Sequence, residues 1–487
     1  MQVVRNNSNQ DRVALERSIT FKDYVAIGFG VMIGVGWVVY SGQWLISGGT
    51  LGAVLAFVIA GILFVPVGKC YAELTAAMPV TGGELAFAFK AFGPFGAFVT
   101  AWVLALAYIS VVPFETIAIG AMTEAILPRF VTPVLYEVQG YPIRMSALVP
   151  GILAGLCVAW LNWSGARDTA RFQKIVIVAM LGCTLLFVAI AVVRGDLANF
   201  RPLFAGAGDW WRFAPTSVLA VLVVVPFFLG GFDCIPQAAE EAGLSMKPRQ
   251  LGVAILTAIA VGVCFYVVII VILSYLVSGE ELTRIVERKD ELPLAVVFRE
   301  KFALDWAATT VLVAALLGII STLNGIFMAG TRLLFALGRG GLLPAWFARI
   351  HPQRHTPHNA VKFVGLIAVL GPFVGSAALS LIVNSVSLAF VGAFLMTGLS
   401  TLRLRRLEPG LKRPYHAGTI NIWVAIVVCA ALCMLMLIPA SPAFAGGGTI
   451  AVFGVWLTLG LALYLYESRN NRLSHEQQSR QILGDYS

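Results

Sequence analysis

The sequence predicts an all-helical integral membrane protein with about twelve transmembrane helices. Hydrophobic residues make up 59% of the 487-residue chain, charged residues only 12%, and the mean hydropathy is +0.86. Soluble domains are about 45–50% apolar and ~25% charged, so this chain has more apolar surface than a water-soluble fold can bury. A membrane-spanning helix needs ~20 apolar residues. Runs of that kind lie near residues 24–46, 51–78, 95–127, 146–163, 172–193, 216–239, 251–277, 307–335, 361–377, 379–402, 420–438 and 448–466.

The charge distribution predicts that both termini face the cytoplasm. An even number of spans places both tails, 1–23 and 467–487, on one side, and most of the 34 lysines and arginines fall on that side. Lysine and arginine are enriched in cytoplasmic loops. We therefore expect a multi-pass protein of the cell membrane. The formal charge of +9 belongs to its inner surface, so it does not indicate binding to nucleic acid.

Cysteine and histidine predict neither a disulfide framework nor a metal or catalytic centre. The seven cysteines are scattered singly, nearly all inside apolar runs, and their odd number argues against pairing. His355 and His358 have a metal-like spacing, but Pro357 between them indicates a turn and no third ligand accompanies them. We expect no cofactor, no bound metal and no enzymatic activity.

Two of the spans are interrupted by residues that weaken a helix. The first span contains Gly30, Gly34 and Gly36, and each glycine costs about 1 kcal/mol relative to alanine in a helix. The sixth span contains two prolines and two glycines between Pro226 and Pro236. Close helix packing through small residues would explain Gly30 and Gly34 alone. Interruptions at corresponding places in two halves of a chain instead indicate the binding site of a transporter, where unwound backbone lines a cavity.

The two interruptions divide the chain into two sets of five spans. An odd number of spans per set inverts the second set relative to the first. We predict a first repeat at 24–193, a second at 194–415 with an external loop at 279–305, and two peripheral helices within 416–466. The peripheral pair could be a scaffold or a dimer surface, so both a monomer and a homodimer stay open.

Four ordered motifs within residues 20–415 resemble those of the amino acid–polyamine–organocation (APC) superfamily. The motifs are Met32–Gly36, Tyr71–Leu74 with Met78–Glu84, Phe227–Asp233 with Ala239–Glu241, and Asn324–Gly325 with Thr331–Pro344. The resemblance implies a five-plus-five (LeuT-like) inverted-repeat fold with discontinuous helices 1 and 6. It also implies an amino acid permease or antiporter, that is, a secondary active transporter that works by alternating access.

The resemblance further implies where a substrate binds. In the family, freed N–H groups of the first helix hold the substrate carboxylate, as a helix N-terminus favours an anion. Here these positions are Gly34, Val35 and Gly36. Carbonyl groups at Ile33, Phe227, Leu229 and Gly230 match those that meet the substrate amine, and Phe227 matches the aromatic side chain that closes over the ligand. Val35 stands where a serine is common, which makes a polyamine or other organic amine the alternative substrate.

Three polar side chains within the spans are further candidates. Asp233 costs at least about 2.5–3.5 kcal/mol to place in a membrane, so we expect it to bind substrate or gate, with capping of the next half-helix as the alternative. An aspartate where many neutral amino-acid transporters of the family have asparagine favours a cationic or protonated partner. Glu115 either faces the site or hydrogen-bonds within the bundle. Tyr108 is a weaker candidate, because buried tyrosines usually just satisfy their hydroxyl.

The remaining predictions concern gating and coupling. Among the charged residues at the cytoplasmic ends of the spans, Glu240 and Arg332 are the predicted gate residues. Ser321 and Thr322 could offer hydroxyls to sodium, although such side chains often bond to their own helix; Asn324 is a secondary candidate on the same span. Exchange without a coupling ion is the default, and proton symport through Asp233 or Glu115 is the alternative. A sensor on a transporter fold is a further alternative, because fold does not fix function.

Overall fold

The computed structural model describes residues 15–206, 210–287, 292–375, 379–441, 444–470 and 473–486. Two predicted segments are described only in part. Residues 1–14 of the tail at 1–23 and residues 288–291 of the external loop at 279–305 lie outside the described residues. Strands β1 (Val134–Val138) and β2 (Tyr141–Arg144) form an antiparallel hairpin. The α-helices are α1 (Phe21–Met32), α2 (Gly36–Val39), α3 (Ser41–Ala77), α4 (Glu84–Ile126), α5 (Met145–Ser164), α6 (Ala166–Arg194), α7 (Trp210–Leu222), α8 (Val225–Leu229), α9 (Cys234–Gln237), α10 (Pro248–Leu276), α11 (Gly279–Glu287), α12 (Pro293–Val296), α13 (Asp305–Arg339), α14 (His358–Leu370), α15 (Leu379–Leu407), α16 (Thr419–Leu437), α17 (Gly447–Asn470) and α18 (His475–Leu483).

The helices agree with the prediction of an all-helical, multi-span membrane protein. In the described parts of the chain, 10 helices are long and apolar enough to cross a membrane. The number is 11 when the bent pair Ala214–Leu222 and Val225–Gln237 counts as one span. The helix His358–Phe373 is apolar but shorter. The predicted count of about twelve would require this shorter helix to cross as well, so it stays a prediction.

Two helices are longer than a bilayer requires because each contains a bend at a glycine. α3 has 37 residues and leaves helical geometry at Gly49, whose φ is 67° and ψ is 174°. α4 has 43 residues and bends at Gly93, whose φ is 77°. Glycine adopts positive φ without the steric cost that a Cβ imposes. The bend at Gly49 separates the first two predicted spans, which the chain joins without a loop.

The centre of the bundle is formed by the helices that pack around α13. This helix packs against α1, α4 and α6, and 78% of its apolar 18-residue stretch is buried. In contrast, only 17% of the apolar 18-residue stretch of α16 is buried, and only 11% of that of α17. α13 therefore lies in the interior of the bundle, and α16 and α17 lie at its periphery.

Both ends of the described chain lie on one face of the bundle, which we call the terminal face. The N–H groups of Ser18 and Ile19 donate to the carbonyl of Glu241. α18 packs against α4 and α13, and Lys90 Nζ donates to the carbonyl of Tyr486 over 2.6 Å. A shared face is what an even number of spans predicts. The orientation of this face toward the cytoplasm stays a prediction.

Candidate functional site

The first predicted span loses helical geometry between Met32 and Gly36. A continuous helix would bond the carbonyls of residues 30, 31 and 32 to the N–H groups of residues 34, 35 and 36, and no such bonds form. Side-chain hydroxyls bond these carbonyls instead. Thr322 donates to the carbonyls of Gly30 and Val31, each over 3.2 Å, and Tyr266 donates to that of Met32 over 2.7 Å. The N–H groups of residues 34–36 are thereby left without their helical partners.

A second interruption, between α8 and α9, packs directly against the first. α8 ends at Leu229, and Gly231 has a φ of 125°. A Cβ on Gly231 would lie 2.8 Å from Val31 Cγ1 and 2.9 Å from the Met32 nitrogen. Only glycine combines this φ with so close an approach. The two weak points of the sequence, about 200 residues apart, thus meet inside the bundle.

A cavity lies between the two interruptions. The first contributes Gly34, Val35 and Gly36 to its wall, and the second contributes Phe227 and Gly230. The rest of the wall is largely aromatic or apolar and includes Tyr40, Phe114, Phe228, Tyr266, Ile326 and Phe390. Its volume is about 50 Å³, which holds only a few water molecules. A substrate-sized molecule therefore requires side chains of the wall to move.

Glu115 of α4 is the acidic residue in the wall of this cavity. It is 3% exposed, and its Oε1 lies 3.5 Å from the position that a Cβ on Gly34 would occupy. Its Oε2 accepts no hydrogen bond from the described residues. The prediction left open whether Glu115 faces the site or bonds within the bundle. In the structure it faces the first interruption across the cavity.

The other predicted site residues lie behind the wall or farther away. Ile33 and Leu229 are buried and do not line the cavity, and neither do Asp233 or Tyr108. Asp233 Oδ2 accepts from the Tyr108 hydroxyl over 2.6 Å, and its Oδ1 accepts from the Gly231 N–H over 2.8 Å. The carboxylate makes no capping bond to α9. Tyr108, the weaker candidate from sequence, is thus the side-chain partner of Asp233.

Ser321 and Asn324 belong to a chain of buried polar side chains that runs from the first interruption to the terminal face. Gln173 Nε2 donates to Ser321 Oγ over 2.8 Å, and Asn324 Nδ2 donates to Gln173 Oε1 over 2.8 Å. Asn162 Nδ2 then donates to Asn324 Oδ1 over 3.3 Å, and Arg332 Nη1 donates to Asn162 Oδ1 over 3.4 Å. Ser321 therefore accepts a hydrogen bond from the neighbouring helix α6.

The two predicted gate residues belong to two separate ion pairs on the terminal face. Arg332 pairs with Glu241 at 3.0 Å, and both side chains are buried. Glu240 accepts two hydrogen bonds from Arg339, at 3.1 and 2.9 Å. Both arginines lie in the last turns of α13, and both glutamates follow α9. These pairs therefore join α13 to the segment that follows the second interruption.

Sequence reasoning missed two residues that build this site. Tyr266 of α10 satisfies a carbonyl of the first interruption, and Gln173 of α6 links Ser321 to Asn324. Each is a hydrogen-bonding side chain within a long apolar helix. Such residues usually need a specific partner when buried, which is the signal that could have found them.

A multi-span helical bundle with two packed interruptions around a central cavity has the architecture of a membrane transporter. The sequence model of the amino acid permease family matches residues 19–462. The chain therefore belongs to the amino acid permease family of the APC superfamily.

Relatives across this family are named for different substrates. The methylthioribose transporter of Bacillus subtilis (strain 168) is 25% identical over 94% of this chain and 95% of its own length. The branched-chain amino acid permease BcaP of the same strain is 25% identical over 97% of this chain and 99% of its own length. The chloroplastic cationic amino acid transporter 7 of Arabidopsis thaliana is 23% identical over 82% of this chain and 68% of its own length. The names of these relatives therefore do not point to one substrate.

Proposed function

We propose that this chain is a secondary active transporter that moves amino acids across the cell membrane. One observation carries the proposal: the N–H groups of Gly34, Val35 and Gly36, which lack helical partners, lie beside a cavity that also contains the Glu115 carboxylate. N–H donors suit an α-carboxylate, and a buried carboxylate suits an ammonium group. Together, the N–H groups and the Glu115 carboxylate are complementary to the zwitterion that all α-amino acids share. The family and the names of the relatives support this substrate class.

Alternating access would open this cavity to each side in turn. Because the cavity volume is only about 50 Å³, side chains of its wall would have to move for a ligand to enter, and we assign this movement to Phe227 and Phe228 of α8. On the terminal face, the Arg332–Glu241 and Arg339–Glu240 pairs hold α13 to the segment after α9. Separation of these pairs would open the path to that face, so Arg332 and Glu240 keep their proposed gating role.

The finer architecture belongs to the same proposal. Helices 1 and 6 would be discontinuous spans in a five-plus-five inverted repeat with units 24–193 and 194–415. The external loop would lie at 279–305, and two peripheral spans within 416–466 would complete about twelve. The protein would lie in the plasma membrane, with both tails facing the cytoplasm. The breaks at residues 33–35 and 230–233 and the shared face of the termini support this arrangement.

The second candidate substrate is an organic amine without a carboxylate, such as a polyamine. Two observations favour it: Glu115 is available to an ammonium group, and Val35 has no hydroxyl to add to the carboxylate site. The two candidates differ in which half of the cavity they use. An amino acid uses both the backbone N–H groups and Glu115, whereas an amine uses Glu115 alone.

The test is counterflow with the purified protein in liposomes. Vesicles are loaded with leucine, arginine, putrescine or methylthioribose, and the same labelled compound is added outside. Counterflow of an amino acid, without that of putrescine, supports the proposal. Gly34→Val should then reduce it at least tenfold, because a Cβ there lies 3.2 Å from Thr322 Oγ1 at the cavity wall. Gly182→Val, with no atom near its Cβ, is the matched control.

Three results would contradict the proposal. Counterflow of putrescine alone would establish the amine transporter, and counterflow of methylthioribose alone would place the substrate outside both classes. An absence of flux with every compound, from protein that stays folded in the vesicles, would leave a sensor as the remaining interpretation.

A further inference from the structure

Two buried carboxylates lie close together between the cavity and the terminal face, without a cation beside them. Glu84 begins α4 and Asp233 precedes α9, and both side chains are fully buried. Glu84 accepts a hydrogen bond from Gln237, which lies about one helical turn after Asp233, so the two carboxylates are neighbours. Neither forms an ion pair with a lysine, arginine or histidine of the described chain. A buried charge without a counter-ion is costly, so the pair calls for a positive charge or a proton.

The other acidic residues of the same face do have basic partners. Glu73, also fully buried, pairs with Arg405 at 2.6 Å and with Arg413 at 3.3 Å. Glu241 pairs with Arg332 and Glu240 with Arg339. The arginines of α13 are thus already engaged, and Glu84 stands apart from the acidic residues around it.

Three polar atoms around Glu84 lack an ordinary hydrogen-bond partner. Its Oε2 accepts from Gln237 Nε2 over 2.5 Å. Its Oε1, the Gln237 Oε1 and the Tyr71 hydroxyl have no hydrogen-bond partner of ordinary geometry among the described residues. The titratable groups facing Glu84 are Tyr71 from α3, Tyr108 from α4, and Asp233 and Cys234 at α9. The methyl group of Ala336, from α13, lies against neighbouring Gly82. One proton on the Glu84 carboxyl would turn an acceptor into a donor and remove one of the two negative charges.

The turn that carries Glu84 is joined to the segment after the second interruption. The Gly82 N–H donates to the carbonyl of Gln237 over 3.4 Å, and the Thr81 N–H donates to Glu240 Oε2 over 3.2 Å. A Cβ on Gly83 would lie 2.7 Å from Pro236 Cβ. This close packing means that a change of charge on Glu84 acts directly on α9, which the second interruption connects to the cavity wall.

We propose that Glu84 carries the proton that couples substrate movement to a proton gradient. The proposal rests on the transport function proposed above and specifies its driving ion. With the proton bound, the turn 81–84 stays packed on α9. When Glu84 releases the proton toward the terminal face, its carboxylate repels Asp233, and the turn and α9 separate. Substrate and proton then move in the same direction, one proton being bound on one side and released on the other.

The experiment separates coupled uptake from exchange in the same liposomes. Uptake of labelled leucine, or of the compound that counterflow selects, is driven by a pH difference of about one unit, which supports at most about tenfold accumulation with one proton. The wild type should accumulate substrate. Glu84→Gln should lose this accumulation and keep counterflow within about twofold. Glu84→Asp, which still titrates, should keep accumulation at least in part. Glu408→Gln, a surface carboxylate of the same face, is the control.

Several outcomes would overturn the proposal. Accumulation by Glu84→Gln equal to that of the wild type would show that another group carries the proton. Wild-type uptake driven by a sodium gradient and not by a pH gradient would exclude proton coupling. If Glu84→Gln does not fold, Tyr71→Phe provides the test, since loss of the facing hydroxyl should shift the pH of half-maximal uptake by about half a unit; an unchanged pH profile would refute the role. Absence of wild-type counterflow would instead refute the proposed transport function.

Discussion

The hydroxyl of Tyr108 donates to Asp233 Oδ2 over 2.6 Å and thereby joins α4 to the turn between α8 and α9. Both residues are fully buried, and they lie 125 positions apart in the sequence. The bond holds the second interruption against α4 in the conformation whose cavity has a volume of about 50 Å³.

Replacement of Tyr108 by phenylalanine should loosen this contact. Asp233 would keep only the Gly231 N–H as a donor, and an unsatisfied buried acceptor costs about 1–3 kcal/mol of unfolding free energy. We expect a lower unfolding temperature and faster maleimide labelling of Cys234, which is buried next to Asp233. Labelling is followed by peptide mass spectrometry. Tyr466→Phe, at an exposed position, is the control. Equal labelling of Cys234 in both variants would contradict the role of this bond.

Glu115→Gln tests the acidic side of the cavity. If the carboxylate holds the substrate amine, its neutral amide should raise the KM for counterflow at least tenfold, equivalent to about 1.4 kcal/mol of binding free energy. Stability should not fall, because the amide is less costly to bury than an unpaired charge. The measurement is counterflow over a range of substrate concentrations, with Glu124→Gln, at the C-terminal end of the same helix, as the matched variant. An unchanged KM would remove Glu115 from the binding site.

The Arg332–Glu241 ion pair should show the behaviour of a buried pair. Glu241→Gln leaves Arg332 without its counter-ion, which should lower the unfolding free energy by about 3–5 kcal/mol. The double variant Arg332→Met with Glu241→Leu should recover most of this loss, since neither position then carries a buried charge. Arg480→Ala, which breaks the exposed pair with Glu476, should cost less than about 0.5 kcal/mol. Denaturant unfolding in detergent measures all of them. A double variant as unstable as the single one would contradict this account.

Gly231→Ala should destabilise the contact between the two interruptions. Its φ of 125° is unfavourable for any residue with a Cβ, and the added carbon would lie 2.9 Å from the Met32 nitrogen. We expect a loss of more than about 1 kcal/mol together with loss of counterflow. Gly182→Ala in α6 meets open space and should be neutral or stabilising by up to about 1 kcal/mol. Normal stability of Gly231→Ala would show that the interruptions can separate at little cost.

The sequence predicted the helices well because membrane helices are determined by local composition. Each long apolar run contains a helix, and the glycine and proline clusters mark the two interruptions. Glu115 and Asp233 were identifiable because a carboxylate in an apolar run is unusual. Their surroundings were not predictable, since Tyr108 and Asp233 meet only through tertiary packing. The partner of Arg332 was equally hidden: Glu240 and Glu241 are adjacent in sequence, and only the geometry shows which one each arginine contacts.

The contact between Lys90 and the carbonyl of Tyr486 joins residues separated by 396 positions. α4 is synthesised early, so it must be inserted and packed long before its partner segment leaves the ribosome. The same segment also supplies His475, which stacks on Phe89, and Ile482, which packs against Gly340. This part of the terminal face is therefore completed only after α18 has been synthesised, and a product that stops before α18 would leave it uncovered.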